Sequence, residues 1–424
     1  MRICSRRVLF LKKVERVEMG KAILLVCDGL GDRPFAERGG KTPLQVAKKP
    51  NLDELAREGI NGQMDVISPG IVPGSDTAHL ALLGYDPFQC YPGRGTFEAL
   101  GAGIELKEGD IAFRGNFATV AEDGSMRILD RRAGRFGSKA LADALNIEIN
   151  GVEVIVKHTV EHRCAVVFRG EGLSRFVSDV DPHEEGLPPR KCIPTRNEKN
   201  AERTARIVNE FVRRSHEILS RHPENEERQR KGVPVANILL LRGAGAHESV
   251  EPFQKRFGFK ACCIAGASLY KGVAKFLGIP TIDVKGATGN ANTNLKAKAE
   301  SAIEALKTHD FVFIHVKATD NFGHDGDFDG KVRMIERIDA EMLSLFRETD
   351  AYVVVTADHS TPVSLRRHSA DPVPVAICGD GVRTDTVQKF DEFAAASGGL
   401  GRLRGKDLIP ILSDLMGFYK MFGT

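Results

Sequence analysis

Three apolar runs in this chain each close on an aspartate, and that pattern constrains the fold more than any other feature. Ile23-Leu24-Leu25-Val26-Cys27 runs into Asp28, Phe311-Val312-Phe313-Ile314-His315-Val316 is followed closely by Asp320, and Tyr352-Val353-Val354-Val355-Thr356-Ala357 runs into Asp358-His359. Short β-branched runs of this kind read as buried strands of a parallel sheet. Open α/β sheets gather ligands at the carboxyl ends of such strands. The aspartates are therefore expected to share a site.

Composition sets the outer bounds. A chain of 424 residues that is 42% hydrophobic can bury a large core and is expected to form about two domains. With 60 basic against 57 acidic side chains, a broad nucleic-acid or membrane surface is disfavoured, although a few arginines in one cleft can still serve a small anionic substrate. The eight cysteines show no Cys-x-x-Cys spacing and Cys262-Cys263 are adjacent. This suits neither a disulfide framework nor a zinc knuckle, so a reduced, cytoplasmic setting is expected. No apolar stretch approaches the roughly 18 to 20 residues of a membrane span. The basic segment 1–18 ahead of Met19 has too short an apolar piece, Val8–Leu11, for a signal core and is read as a disordered extension.

Strands and helices alternate from Lys21 to about Gly84, with a helix opening at Pro73-Gly74-Ser75-Asp76. From about Ile111 the character changes to strands that suggest an antiparallel or mixed sheet, around 112–120, 126–129, 152–156 and 164–168. A charged helix over 198–221 follows, then a polar, exposed loop at 222–231. After Pro234 the alternation resumes and reaches a strand ending near Asp320 and another ending at Asp358. These patterns predict one α/β domain made of residues 19–88 and 286–424. A second, smaller α/β or α+β domain, 89–285, is inserted into it.

Asp28, Asp320, His324, Asp358, His359 and His368 would then converge as hard-oxygen and imidazole donors. Mixed carboxylate and imidazole sites suit manganese or zinc better than a thiolate-bound structural zinc. Two ions about 3.5–4 Å apart form a clamp for in-line displacement at phosphorus. A single Asp at a strand end is more often a turn former, but three such strands, two accompanied by His, are hard to obtain from turn chemistry alone. Ser75, taken alone, is more often a plain N-cap; its functional reading is a nucleophile whose helix N-terminus steadies phosphoryl oxygens.

Ordered motifs weigh on that choice. Asp28-Gly29-Leu30-Gly31-Asp32, Pro73-Gly74-Ser75-Asp76-Thr77-Ala78-His79, His315–Asp320 with Gly323-His324-Asp325-Gly326-Asp327, and Thr356-Ala357-Asp358-His359 together resemble the alkaline phosphatase superfamily. Tyr91–Gly103, Asp130–Arg135 and Gly286-Ala287-Thr288-Gly289 resemble, more narrowly, the archaeal-type 2,3-bisphosphoglycerate-independent phosphoglycerate mutases. The resemblance runs from about Gly20 almost to the C-terminus. It implies an alkaline-phosphatase-like sandwich of helices around a mostly parallel sheet. One metal would be held by Asp320, His324 and His368, and a second by Asp28, Ser75, Asp358 and His359, with Ser75 as nucleophile. Manganese is favoured, with zinc, cobalt and magnesium as alternatives, and 2,3-bisphosphoglycerate is not required. Sulfatases carry a modified Cys or Ser followed by Pro and Arg, which Ser75-Asp76-Thr77 lacks.

A mutase must hold glycerate while the phosphoryl group waits on serine, and arginine forks match carboxylates and phosphates. Arg94, Arg131, Arg132, Arg135, Arg163, Arg242 and Lys271 are the candidates, with Lys317 near the metals. Each alone is more often a surface charge. His158 or His162 is expected to shuttle the proton between the glycerate hydroxyls, with His158 favoured. The Gly-Arg-Asp loop of the longer bacterial and plant branch is absent. A phosphomonoesterase, a phosphopentomutase or a homoserine-phosphorylating relative would use the same metals and Ser75. A non-catalytic phosphate-binding module would be expected to have lost some donors. The implied partner is a small phosphoglycerate, with no nucleic acid or membrane, and a homo-oligomer stays open.

Overall fold

The computed structural model describes residues 19–418, Met421 and Gly423; the extension expected over 1–18 lies outside the described residues. In chain order the strands are β1 (Ala22–Cys27), β2 (Ile60–Asp65), β3 (Ile111–Val120), β4 (Ile128–Asp130), β5 (Ile147–Ile149), β6 (Val152–Val160), β7 (Arg163–Arg169), β8 (Ile238–Ala246), β9 (Ala261–Ile264), β10 (Phe311–Val316), β11 (Tyr352–Thr356), β12 (Val373–Cys378) and β13 (Gly401–Arg404).

Seven of them form a large sheet in the order β13-β2-β12-β11-β1-β10-β9. β1 is buried at every position because it lies parallel between β10 and β11, with Val26 opposite both His315 and Thr356. That register brings the ends of the three apolar runs level. Only β12 runs against the others, so the sheet is mostly parallel, with helices on its faces as in alkaline-phosphatase-like folds. The second sheet is antiparallel throughout, in the order β4-β3-β7-β6-β5, with β8 also paired to β3. The helix Lys199–Ser220 covers it with Ile207, Val208 and Phe211.

The strand β9 falls inside the stretch expected for the insertion, 89–285, yet it pairs with β10 in the large sheet. Its fully buried Ala-Cys-Cys-Ile sequence fits an edge position covered on both faces. The chain therefore rejoins the large sheet by Ala261, ahead of residue 286. The loop expected at 222–231 is instead the helix Pro223–Arg230, started by Pro223 and capped by the His222 side chain, so local capping overrides a polar composition. Two helices seal the junction between the sheets: a Cβ on Gly272 would lie 1.8 Å from the Phe97 carbonyl oxygen, and one on Gly101 2.0 Å from that of Ser268. Only glycine permits this approach of Arg94–Gly101 to Ser268–Phe276.

Lys331 locks the loops around the strand ends. It is fully buried in the helix Phe328–Ile338, and its Nζ donates to Asp32 Oδ2 at 2.8 Å, the Thr361 carbonyl at 3.0 Å and the Gly31 carbonyl at 3.2 Å. Removing one partner of such a pair costs about 3–5 kcal/mol because the other charge stays buried. Lys331→Met is expected to lower unfolding free energy by about that much, measured by urea denaturation; a loss below roughly 1 kcal/mol would show that the pair contributes nothing net.

Candidate active site

Ser75 is the first residue of the helix Ser75–Leu82, and the cap is Gly74, with no side-chain capping bond. The hydroxyl is thus not occupied as an N-cap. Its Oγ lies 3.4 Å from His359 Nε2 in a site where Ser75 is only 7% exposed, at the electropositive end of the helix. Asp320 lies beyond the end of β10 rather than on it: Asp320 and His324 belong to the helix Ala318–Asp325, because the sequence after Val316 loses its apolar run. The i, i+4 spacing sets both on one helix face, with His324 Nε2 3.3 Å from Asp320 Oδ1.

The expected donors come together. His359 Nε2 is 3.3 Å from Asp28 Oδ1 and 3.3 Å from Asp358 Oδ2, and His368 Nε2 is 3.6 Å from Asp320 Oδ1. Asp28, Asp358 and His359 form one compact group of potential ligand atoms, and Asp320, His359 and His368 another. Each imidazole is oriented by its far nitrogen: Nδ1 of His324 meets the Arg366 carbonyl at 2.9 Å, Nδ1 of His368 the Pro73 carbonyl at 2.9 Å, and Nδ1 of His359 the Thr361 hydroxyl at 3.0 Å. This is the outer arrangement that presents Nε2 to a metal. Among the described residues, Asp28 Oδ1 and Asp358 Oδ2 are buried without a hydrogen-bond partner. Orphaned carboxylate oxygens are costly unless a cation takes them, so the donor set fits divalent metal.

Electrostatics agree. Burial, then the Asp28 charge, pushes the Asp358 carboxyl up to about 7. At His359 burial pulls down, but Asp358 and Asp28 outweigh it and raise the imidazole to about 9. Lys317 bridges the carboxylates, with Nζ 2.7 Å from Asp320 Oδ2 and 3.2 Å from Asp28 Oδ2. Behind them lie residues the sequence did not single out. His315 Nε2 is 3.0 Å from Asp28 Oδ2, Tyr270 donates its hydroxyl to the same oxygen, and His79 Nδ1 is 2.6 Å from the Ser75 carbonyl. A histidine inside an otherwise apolar strand, and one placed a helical turn after Ser75, were the available signals.

Arg94 at the start of the helix Arg94–Gly101, Arg114 on β3 and Arg163 on β7 act on Glu98, and Arg242 on β8 lies opposite Arg114. Arg94 Nε donates to Glu98 Oε1 at 3.3 Å, and Arg114 lies 3.6 Å from the same oxygen. Burial, then Arg94, Arg242 and Arg163 against the opposing pull of Glu98, hold Arg114 well below the usual guanidinium range. Among the described residues, Nε of Arg114, Arg163 and Arg242 is buried with no hydrogen-bond partner. Arg114 was not foreseen, since it sits mid-strand in β3. The other candidates are committed elsewhere: Arg131 forks onto Asp181 at 3.0 and 2.7 Å, Lys271 pairs with Asp283 at 2.5 Å, and Arg132 is exposed. His158 Nε2 bonds the Glu161 carbonyl of its own hairpin at 2.7 Å. His162 faces the arginines, and burial, then Arg163, Arg114 and Arg132, pulls it down to about 3.

A serine at a helix N-terminus, three aspartates and three histidines at the edge of a mostly parallel sheet define a class, the metal-dependent phosphoryl-transfer enzymes built like alkaline phosphatase. Comparison narrows it. A family model for 2,3-bisphosphoglycerate-independent phosphoglycerate mutase matches residues 56–225. The mutase of that name from Archaeoglobus fulgidus is 52% identical over 95% of this chain and 99% of its own length, and that of Methanopyrus kandleri 50% identical over 95% and 98%. Among solved structures, a Pyrococcus horikoshii protein superposes with a TM-score of 0.83 at 39% identity, covering 96% of this chain and all of its own. A cofactor-independent phosphoglycerate mutase from Thermoplasma acidophilum gives 0.70 at 40% identity, covering 94% and 100%. The chain belongs to the family of 2,3-bisphosphoglycerate-independent phosphoglycerate mutases.

Proposed function

We propose that the protein interconverts 3-phosphoglycerate and 2-phosphoglycerate, in glycolysis and gluconeogenesis, through a phosphoserine at Ser75. The observation that carries this reading is the uncapped Ser75 hydroxyl at the helix N-terminus, 3.4 Å from His359 Nε2, beside two carboxylates that each bury an oxygen accepting no hydrogen bond among the described residues. Asp320, His324 and His368 would hold one divalent metal, and Asp28, Ser75, Asp358 and His359 a second, with manganese favoured. Bound there, such ions supply charge neutralisation at phosphorus and lower the pKa of a hydroxyl nucleophile.

The chain's own groups do the remainder. Ser75 Oγ attacks phosphorus and receives the phosphoryl group, while the first helical N–H groups steady its oxygens. Lys317 neutralises charge between Asp28 and Asp320. The arginines around Glu98 grip the glycerate carboxylate during reorientation, as bidentate forks do, and the second sheet with its helices acts as a domain that shields the intermediate from water. Most of the acceleration then comes from positioning and fixed charge.

Among the described residues no helix is long and apolar enough to cross a membrane, and the seven described cysteines are free, which supports a reducing, cytoplasmic setting. The test is an enolase-coupled assay with 3-phosphoglycerate and no added 2,3-bisphosphoglycerate. Turnover without that compound is expected. An absolute requirement for it would overturn the reading.

A further inference from the structure

The two oxygens of Asp28 have different surroundings. Oδ2 is met by three donors: the Tyr270 hydroxyl, His315 Nε2 at 3.0 Å and Lys317 Nζ at 3.2 Å. A carboxylate oxygen has two lone pairs, so the protein itself saturates Oδ2. Oδ1 is buried, accepts no hydrogen bond among the described residues and lies 3.3 Å from His359 Nε2. Asp358 repeats the division: Oδ1 accepts the Gly29 N–H at 3.0 Å, while Oδ2 is buried without a hydrogen bond, 3.3 Å from the same imidazole nitrogen. At Asp320, Lys317 takes Oδ2 at 2.7 Å, and Oδ1, which also accepts the Thr361 hydroxyl at 2.8 Å, is the oxygen beside His324 and His368. Each carboxylate thus keeps one oxygen for the chain and turns the other toward an imidazole.

The donors on Asp28 Oδ2 come from separate, rigid elements. His315 lies on β10, paired in register with β1 just ahead of Asp28. Tyr270 reaches in from the helix Ser268–Phe276, which the close approach at Gly272 holds against Arg94–Gly101. The Tyr270 and His315 rings stack with centroids 3.4 Å apart and planes 23° from parallel. His79 packs against both, at 4.8 and 5.1 Å. All three side chains are buried. Ring packing alone would be served as well by phenylalanine at 270, so the hydroxyl has its use at Asp28.

We propose that Tyr270 and His315 are positioning residues that hold Asp28 to a single available oxygen, and that the centre thereby discriminates against calcium in favour of smaller divalent ions. This rests on the two-metal reading given above. Calcium takes about six to eight oxygen ligands in flexible geometry and often uses both oxygens of a carboxylate, whereas smaller ions are served by fewer, single donors. The three imidazoles supply no oxygen, so calcium would need the second carboxylate oxygens, which Tyr270, His315, Lys317 and Gly29 already occupy. Groups that orient ligands in this way typically contribute about 10- to 100-fold to metal affinity.

The test strips the full chain with EDTA, titrates it with manganese while free Mn2+ is read by electron paramagnetic resonance, and then adds calcium as competitor. Tyr270→Phe is expected to raise the manganese Kd by about 10-fold and to lower by about the same factor the excess of calcium that displaces half the manganese. The melting temperature of the metal-free chain should stay near that of the unchanged protein. If Tyr270→Phe keeps the manganese affinity, or weakens manganese and calcium equally, the inference is overturned while the metal reading stands. Asp28→Ala separates the two: it should bind less manganese, and retention of as much as in the unchanged chain would overturn the metal reading itself. Should Tyr270→Phe not fold, His315 decides. His315→Gln, whose amide N–H can replace the Nε2 donor, should retain the preference over calcium and His315→Met should lose it; the same preference in both refutes the proposal.

Discussion

Ser75→Ala should abolish turnover of 3-phosphoglycerate while leaving the fold and the metals in place. Removing a catalytic nucleophile costs on the order of 10⁴- to 10⁶-fold in kcat, and no neighbouring hydroxyl can substitute: Thr361 is held by Asp320 at 2.8 Å, and Thr77 by the Gly74 carbonyl at 3.0 Å. The substitution is mild for structure, because Gly74 rather than Ser75 caps the helix and alanine is the best helix former. Six of the seven proposed metal donors remain, so manganese content should fall little. The coupled assay measures the first quantity, elemental analysis the second and thermal melting the third. Retention of more than a tenth of the wild-type rate would refute the nucleophile assignment.

Withdrawing metal should have an effect as large on activity and an additional one on stability. Asp28, Asp320 and Asp358 share one buried site, countered by Lys317 and a protonated His359. Like carboxylates this close repel, as the elevation of Asp358 to about 7 by burial and Asp28 shows. Treatment with EDTA is expected to reduce turnover to background and manganese to restore it. A ligand present at about 100 times its Kd stabilises by about 2.7 kcal/mol per site, so the melting temperature should drop by several degrees on chelation. Full activity after exhaustive dialysis against EDTA, with metal undetectable, would remove the metal dependence from the mechanism.

The donors at the large sheet were legible because each sits where an apolar run stops, and parallel pairing in register brings those stops level. Asp28, Asp358 and His359 meet for that reason. Asp320 and His324 lie on a helix rather than on the strand, and the turn after β10 returns them to the same edge. The arginine cluster was much less legible. Arg114, Arg163 and Arg242 occupy three antiparallel strands whose register no local pattern fixes; long-range strand pairing, not sequence proximity, brings Arg163 and Arg242 beside Arg114. The early return of the chain at β9 was missed because a four-residue apolar run can belong to either sheet.

β1 is made first, yet it pairs only with β10 and β11, which the ribosome delivers near the end. Throughout translation Ala22–Cys27 therefore has both edges open and both faces apolar, the profile of a sticky segment. Its late, distant contacts also make formation of this sheet slow. Any fragment ending before Phe311 leaves the central strand of the large sheet without its neighbours.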